Sequence, residues 1–331
     1  MTAKRSPVGL VLGSHVPPEQ LQSTARLAER LDFGELWFAE DYFFTGGVSG
    51  AAAALAATNE IPVGLGIVSA LVRHPALLAM EIATLSRIYP GRLRPGIGLG
   101  VPHWLRQMGL YPASPLGAVR DCVIAVRRLL DGEEVTVAEG AYLFDRVKLS
   151  HPAIDWVPLF LGVIGPKMLQ LSGAVANGTV LSVGASPAYV RWARQQIGAG
   201  AASAGRTDHH QVTSFAIFSV DRNSRRAREA ARAPVAFYLA AGGANALTDA
   251  YGISDELTEM LARGGSGLLE REMPDRWVED LAIAGDPEEC AAGVRAHLDA
   301  GADSVALFPM PVERATELVE LAAREILPRL G

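Results

Sequence analysis

The stretch from Ile61 to Gly100 constrains the fold more than any other part of this sequence. Pro62 to Ile67 is short, apolar and interrupted by glycine, as a buried parallel strand can be. Ala76 to Arg87 spaces its apolar residues as one face of a helix, which Pro90-Gly91 ends. A second apolar segment, Leu93 to Leu99, follows. Together these segments predict a strand–helix–strand unit with two parallel strands.

The glycines of this unit are its least ordinary feature. Gly64 and Gly66 occupy alternate positions of the first strand. Glycine weakens a strand, so two glycines at this spacing indicate that another group approaches the backbone or that the strand bends. Residue types alone leave two interpretations open, tight packing against a barrel neighbour and contact with a ligand. Gly98 and Gly100 end the second strand, where backbone can lie close to a flat ligand.

The same alternation of strand and helix continues along the chain. It predicts eight strands, at 8–12, 35–39, 62–67, 93–99, 158–161, 179–183, 212–220 and 304–308. This pattern indicates an α/β protein, and the strand count and length favour a (β/α)8 TIM barrel over an open doubly wound sheet. No G-x-G-x-x-G follows the first strand, which argues against a nucleotide-binding Rossmann start. In a barrel, functional residues lie at the carboxyl ends of the strands.

Two insertions interrupt the predicted barrel. The first, at about 101–157 after strand four, begins with a loop and contains a helix and a β-hairpin. The second, at about 242–281 after strand seven, reads as irregular with short helices. It has too few regular apolar runs for a core of its own, so we predict a single domain over 1–331.

Charge and cysteine content narrow the range of partners. The formal net charge is -6, with both signs mixed along the chain, which predicts no nucleic-acid surface. Two unclustered cysteines predict neither a disulfide framework nor a metal site, and favour a reducing cytoplasm. The chain lacks the roughly 20 consecutive apolar residues of a membrane span, and its N-terminal apolar run is too short for a signal peptide. We therefore expect a small-molecule substrate.

Four segments resemble the bacterial luciferase-like family of flavin and deazaflavin enzymes. IPVGLGIVSALVRHPALLAMEIATLSRIYPGRLRPGIGLG is similar to the core signature of the family, and LWFAEDYFF to its second-strand segment. LGVIGPKMLQLSGAVANGTVLS resembles its phosphate-side segment, and AGDPEECAAGVRAHLDAGADSVAL its C-terminal barrel unit. The segments occur in the order of the family and span most of the chain. Gly-Pro-Lys followed by a helix and Ala-Asn-Gly most resembles the coenzyme F420-dependent branch, which includes methylenetetrahydromethanopterin reductase.

The resemblance implies where a cofactor binds. Family members bend the third strand with a non-prolyl cis peptide bond behind the middle of the ring, and the matching bond here is Gly66–Ile67. Gly165 to Lys167 open a helix whose free N–H groups and positive dipole end can hold a phosphate. The residues expected to contact the cofactor are Asp41, Gly66, Ile67, Val68, Gly98, Gly100, Gly162, Val163, Gly165, Pro166 and Lys167.

Proton transfer and substrate binding have fewer candidates. His15 ends strand one and Glu40 ends strand two, so both are candidate catalytic residues for a proton. The family often places histidine at the end of strand two, where this chain has Glu-Asp-Tyr. His103 and Trp104 are candidates for the substrate pocket.

The resemblance implies hydride transfer between C5 of coenzyme F420 and a small organic substrate. The alternative is an FMN-dependent monooxygenase that uses reduced flavin and oxygen. A third hypothesis is a binding protein on the same barrel without a cofactor, since many unrelated functions use this fold. Family members commonly dimerise through barrel helices, so the resemblance also implies a homodimer.

Overall fold

The computed structural model describes residues 5–13 and 16–330, and its central feature is a ring of parallel strands. In chain order the strands are β1 (Val8–Leu12), β2 (Leu36–Phe38), β3 (Val63–Ser69), β4 (Leu93–Gly98), β5 (Val135–Val137), β6 (Phe144–Val147), β7 (Phe160–Gly162), β8 (Gly178–Leu181), β9 (Gln211–Val220), β10 (Ala282–Gly285) and β11 (Ser304–Pro309). Neighbours pair in the order β1-β2-β3-β4-β7-β8-β9-β11, and β11 pairs with β1 to close the barrel. The predicted TIM barrel is confirmed.

Helices alternate with the barrel strands and cover their outer face. They are α1 (Leu21–Arg30), α2 (Gly47–Ala57), α3 (Pro75–Ile88), α4 (Pro102–Gln107), α5 (Pro115–Leu130), α6 (Pro166–Val175), α7 (Pro187–Ser203), α8 (Ser224–Gly242), α9 (Ala246–Tyr251), α10 (Ser254–Glu272), α11 (Asp275–Leu281), α12 (Pro287–Asp299) and α13 (Ala315–Leu321). None of the helices in the described part of the chain is long and apolar enough to cross a membrane.

Both insertions lie where the sequence places them, but their content differs from the prediction. The first contains the expected antiparallel hairpin, β5 with β6, and also helix α4 in place of a plain loop. The second is mostly helical, with α10 kinked at Gly264 and Gly265. β10 is a ninth parallel strand that pairs with Ile217 to Val220 of β9. Its four residues follow α11 directly, so no turn residue marks its start in the sequence.

Large aromatic rings fill the barrel interior. The ring of Trp37 lies 5.3 Å from that of Phe160 and 5.7 Å from that of Phe215, both edge to face. A Cβ at Gly64 would overlap Trp37, and one at Gly66 would lie 2.6 Å from Cζ of Phe215. The inward sides of both glycines are therefore occupied by aromatic rings, which gives them a packing role.

The amino-terminal end of the barrel is closed by a buried polar network. Glu35, which is 3% exposed, pairs with Arg94 and accepts a hydrogen bond of 2.7 Å from the hydroxyl of Ser304. That hydroxyl also lies 2.9 Å from Oγ1 of Thr213. Three of these side chains come from strands and Glu35 directly precedes β2. The four satisfy one another, so this end is structural and a functional site belongs at the other end.

Buried thiols and imidazoles belong to the structural core. Burial raises the pKa of Cys122 and of Cys290 to about 12, so both stay protonated thiols. Burial lowers the pKa of His297 to about 4, and its neutral ring hydrogen-bonds to Ser214. Among residues 5–13 and 16–330, no group of three His, Cys, Asp or Glu side chains could hold a metal ion.

Candidate active site

The third barrel strand is bent at the position that the resemblance implies. The Gly66–Ile67 peptide bond is cis, and the pairing of β3 with β4 shifts register between Leu65 and Val68. Beyond the shift, Ser69 pairs with Gly98, which in turn pairs with Gly162 of β7. The expected cofactor contacts on these three strands therefore lie side by side at the carboxyl end of the barrel.

The side chain of Ile67 explains the glycines beside it. A Cβ at Gly98 would lie 3.0 Å from Cδ1 of Ile67, and one at Gly162 would overlap its Cγ2. Ile67 therefore restricts the space for a side chain on both strands, and at Gly98 the carbonyl oxygen of Gly162 would lie closer still, 2.6 Å from the Cβ. These contacts give Gly98 and Gly162 a packing role.

Tyr42 is a site residue that sequence reasoning did not select. It is buried at the end of β2, and its hydroxyl occupies the space that a Cβ at Gly100 would need. Gly100 also has φ of +88°, a conformation that favours glycine. The ring of Tyr42 lies 5.8 Å from that of Trp104 on α4. The sequence signal that could have identified Tyr42 was its position directly after the two acids, Glu40 and Asp41, that follow β2.

Glu40 is held by an ion pair within the barrel mouth. Nη1 and Nη2 of Arg73 each donate to one of its carboxylate oxygens at 2.8 Å, and the N–H of Gly47 donates at 2.6 Å. The hydrogen bonds from Arg73 to Glu40 raise the pKa of the arginine. Glu40 therefore joins the loop after β3 to the start of α2. His15, the other candidate for proton transfer, lies outside the described residues.

The inserted hairpin holds the loop that carries Arg73. The hydroxyl of Tyr142 donates to the carbonyl of Ala70 at 2.7 Å, and Nε2 of His74 lies 3.2 Å from the carbonyl oxygen of Leu143. Nδ1 of His74 accepts from the N–H of Ala76, so this histidine caps α3. The first insertion thus positions part of the site.

Helix α6 begins beside the bent strand without a capping side chain among the described residues. Gly165 is its N-cap, and Pro166 and Lys167 follow exposed in the first turn. Val163 is buried in the preceding loop, which the hydroxyl of Tyr189 holds by donating 2.7 Å to the carbonyl of Ile164. A helix start with unsatisfied N–H groups is a site for an anion.

A cleft of about 220 Å³ opens at the carboxyl end of β2. Its lining includes Glu40, Asp41, Tyr42, Phe43, Arg73 and Met108. The two candidates for the substrate pocket both lie on α4, where His103 is exposed and Trp104 is half-buried against Tyr42. Of these two, Trp104 reaches a residue of the cleft through a ring contact.

Comparison with known proteins agrees with this geometry. The family model described as luciferase-like monooxygenase matches residues 2–304. The chain belongs to this family.

Relatives within the family are similar over nearly the whole chain. A 5,10-methylenetetrahydromethanopterin reductase of Methanolobus tindarius is 30% identical, over 94% of this chain and 96% of the relative. An F420-dependent glucose-6-phosphate dehydrogenase of Nakamurella multipartita is 27% identical, over 83% of this chain and 79% of the relative. The structure of a coenzyme F420 dependent tetrahydromethanopterin reductase from Methanopyrus kandleri superposes with a TM-score of 0.86, at 25% identity over 99% of this chain and 100% of that chain.

Proposed function

We propose that this protein is an F420-dependent oxidoreductase that transfers a hydride between C5 of the deazaflavin and a small organic substrate. The observation that carries the proposal is similarity over most of the chain to enzymes that are named for F420 and act on different substrates. Bound F420 supplies the hydride chemistry, and the protein supplies binding, orientation and exclusion of water.

The residues at the barrel mouth fit a flat cofactor with a phosphate-bearing tail. We place the ring beside the bend of β3, against Gly66, Ile67 and Val68, with Gly98, Gly100, Gly162 and Asp41 around it. We place the phosphate at the start of α6, on the N–H groups that follow Gly165, with Pro166 and Lys167 in the first turn and Val163 in the loop before it. The uncapped start of α6 supports this placement, because its donors have no protein acceptor among the described residues.

Proton transfer is assigned to the residues that end the first two strands. His15 follows β1, and Glu40 follows β2 beside the cleft. Because Glu40 is already paired with Arg73, we propose that its main contribution is to hold Arg73 and the start of α2 in place. His15 is then the better candidate for moving a proton, with His103 and Trp104 lining the path of the substrate.

Binding of the two cofactors tests the proposal directly. We expect purified protein to quench the fluorescence of F420 on titration, with FMN binding at least about ten-fold more weakly. The family description names monooxygenases, so FMN is the specific alternative. Tight binding of FMN without binding of F420 would favour the monooxygenase, and binding of neither would favour a protein without a cofactor.

We further propose that the chain acts as a single domain in a cytoplasmic homodimer. Leu77, Met80 and Ile88 on α3 are each about half exposed, at 54%, 49% and 58%. Ile124 on the adjacent α5 is also exposed, so the outer face of the barrel carries apolar side chains here. Light scattering should give the mass of a dimer, and a monomer at micromolar concentration would contradict the assembly.

A further inference from the structure

Tyr238 on α8 lies at the carboxyl end of the barrel. Its ring is 6.2 Å from that of Phe308, a residue of β11 that belongs with Trp37 and Phe215 to the apolar cluster of the barrel interior. The ring of Phe308 occupies the space that a Cβ at Gly13 would need, directly after β1. Tyr238 therefore reaches from a helix to the interior side of the barrel mouth, beside the ends of β11 and β1.

The ends of β11 and β1 face the proposed cofactor site across the mouth. The closed barrel has the order β1-β2-β3-β4-β7-β8-β9-β11, so β11 lies four strands from β4, and β1 lies four strands from β7. Gly98 ends β4 and Gly162 ends β7, and both are assigned above to the cofactor. Strands four apart in an eight-stranded ring lie opposite each other. A substrate held against the cofactor ring would therefore lie between the ring and Tyr238.

The hydroxyl of Tyr238 is free to contact a ligand. No hydrogen bond joins it to the described part of the chain, and it is not among the polar atoms buried there without a partner, so it is open to solvent. Burial raises the pKa of Tyr238, and the nearby charge of Asp41 raises it further. The phenol therefore stays protonated at neutral pH and can donate a hydrogen bond.

A neutral hydrogen-bond donor at this position favours one kind of substrate. When a hydride adds to a carbonyl carbon, a C–H bond forms and the π electron pair of the C=O bond moves to the oxygen. A donor aimed at that oxygen stabilises the negative charge as it develops. A phenol gives no such stabilisation to an iminium substrate, because the hydride neutralises its positive charge.

We infer that Tyr238 is a catalytic residue that donates a hydrogen bond to the oxygen of a carbonyl substrate, or of the matching alcohol in the reverse direction. The inference rests on the proposed function, because it names the substrate class and a donor for the same site. Reduced F420 is oxidised as it gives up the hydride, and the carbonyl is reduced. The proton that completes the alcohol stays assigned to His15.

Infrared spectroscopy of a bound ketone tests this hydrogen bond directly. The probe is cyclohexanone labelled with carbon-13 at its carbonyl, whose stretching frequency falls when the oxygen accepts a hydrogen bond. The probe is added to protein loaded with oxidised F420, which has no hydride to give, so the ketone is not consumed. We expect the band of the bound ketone to lie below that of cyclohexanone in hexane. No bound ketone, or a band at the hexane position, would overturn the inference.

The variant Tyr238→Phe separates hydrogen bonding from packing, because phenylalanine keeps the ring beside Phe308 and loses only the hydroxyl. That hydroxyl has no partner in the described part of the chain, so we expect a Tm within about 2 °C of the wild type. The ketone band should move to the hexane position, and the Kd for cyclohexanone should rise about two- to ten-fold, the range for one neutral hydrogen bond. The Kd for F420 should not change, because its ring is assigned to the opposite strands.

Tyr251→Phe is the matched control from the second insertion. The hydroxyl of Tyr251 donates to a carboxylate oxygen of Asp280 and lies 3.2 Å from the carbonyl oxygen of Arg276. Its loss should lower the Tm and leave the ketone band and both Kd values unchanged.

Two results with Tyr238→Phe would contradict the assignment. An unchanged ketone band would mean that Tyr238 only packs on Phe308, and a weaker affinity for F420 would place the residue at the cofactor instead of the substrate. Failure of the inference is distinguishable from failure of the proposed function. A protein that binds F420 but fails the ketone tests keeps its proposed function and loses this assignment. A protein that binds no F420 loses the proposed function, and the inference with it.

Discussion

Replacing Gly165 with aspartate should weaken binding of F420 about a hundred-fold while leaving the protein at least as stable as the wild type. Gly165 is the N-cap of α6, with φ of −79° and ψ of 161°, which any residue adopts. A Cβ there would meet no atom within 4 Å, so the new side chain fits. Aspartate at an N-cap accepts from the first N–H groups of the helix and stabilises it relative to glycine by roughly a few tenths of a kcal/mol. The same donors are then lost to the phosphate, and the carboxylate repels it.

The measurement pairs a fluorescence titration with F420 and a thermal melt of the protein without cofactor. Gly165→Ser is the matched control, because serine also caps the helix but adds no charge. We expect its affinity to lie between those of the wild type and Gly165→Asp. If Gly165→Asp binds F420 as tightly as the wild type does, the phosphate lies elsewhere and the placement of the cofactor tail on α6 is wrong.

Replacing Arg73 with alanine should lower the free energy of unfolding by about 3–5 kcal/mol. The side chain of Glu40 is 6% exposed, and without Arg73 its carboxylate keeps the hydrogen bond from the N–H of Gly47. A buried charge that loses its partner retains its desolvation cost. The loop after β3 would also lose its tie to α2, so we expect weaker binding in the cleft as well.

Chemical denaturation of matched variants tests this expectation. The double variant Glu40→Ala with Arg73→Ala should be more stable than Arg73→Ala alone, because it also removes the buried carboxylate of Glu40. Arg128→Ala removes an exposed pair with Glu133, 38% and 50% exposed, and should cost less than about 0.5 kcal/mol. A loss below about 1 kcal/mol for Arg73→Ala would mean that Glu40 stays solvated and that the pair contributes little.

Features that depend on residues close together in the sequence were predictable from it. The barrel strands, the β5–β6 hairpin and the start of α6 at Pro166 follow from local patterns of apolar residues, glycine and proline. Four-residue β10 was not predictable, because its pairing with β9 is its defining feature and the segment carries no turn signal of its own. α4 was read as a loop because six residues are too few to show a helical period.

The contacts that shape the site join residues far apart in the chain. Glu40 and Arg73 are separated by 33 positions, and Tyr142 reaches Ala70 across 72. Local sequence patterns predict neither contact. The first depends on the order of the strands in the barrel, and the second on where the inserted hairpin packs. For this reason the sequence marks Glu40 as an acid at a strand end but does not identify Arg73 as its partner.

The sequence alone determined that glycines alternate along β3 and end β4, and the resemblance to the family implied the bend after Gly66. Only the tertiary structure decided what those glycines accommodate. Gly66 faces Phe215 from β9, and Gly98 and Gly162 face Ile67 from β3. Likewise, the cleft at the carboxyl end of β2 forms only where separate segments of the chain meet at the barrel mouth. Side chains of different strands pack against one another, and the sequence of one strand does not specify which strands lie beside it.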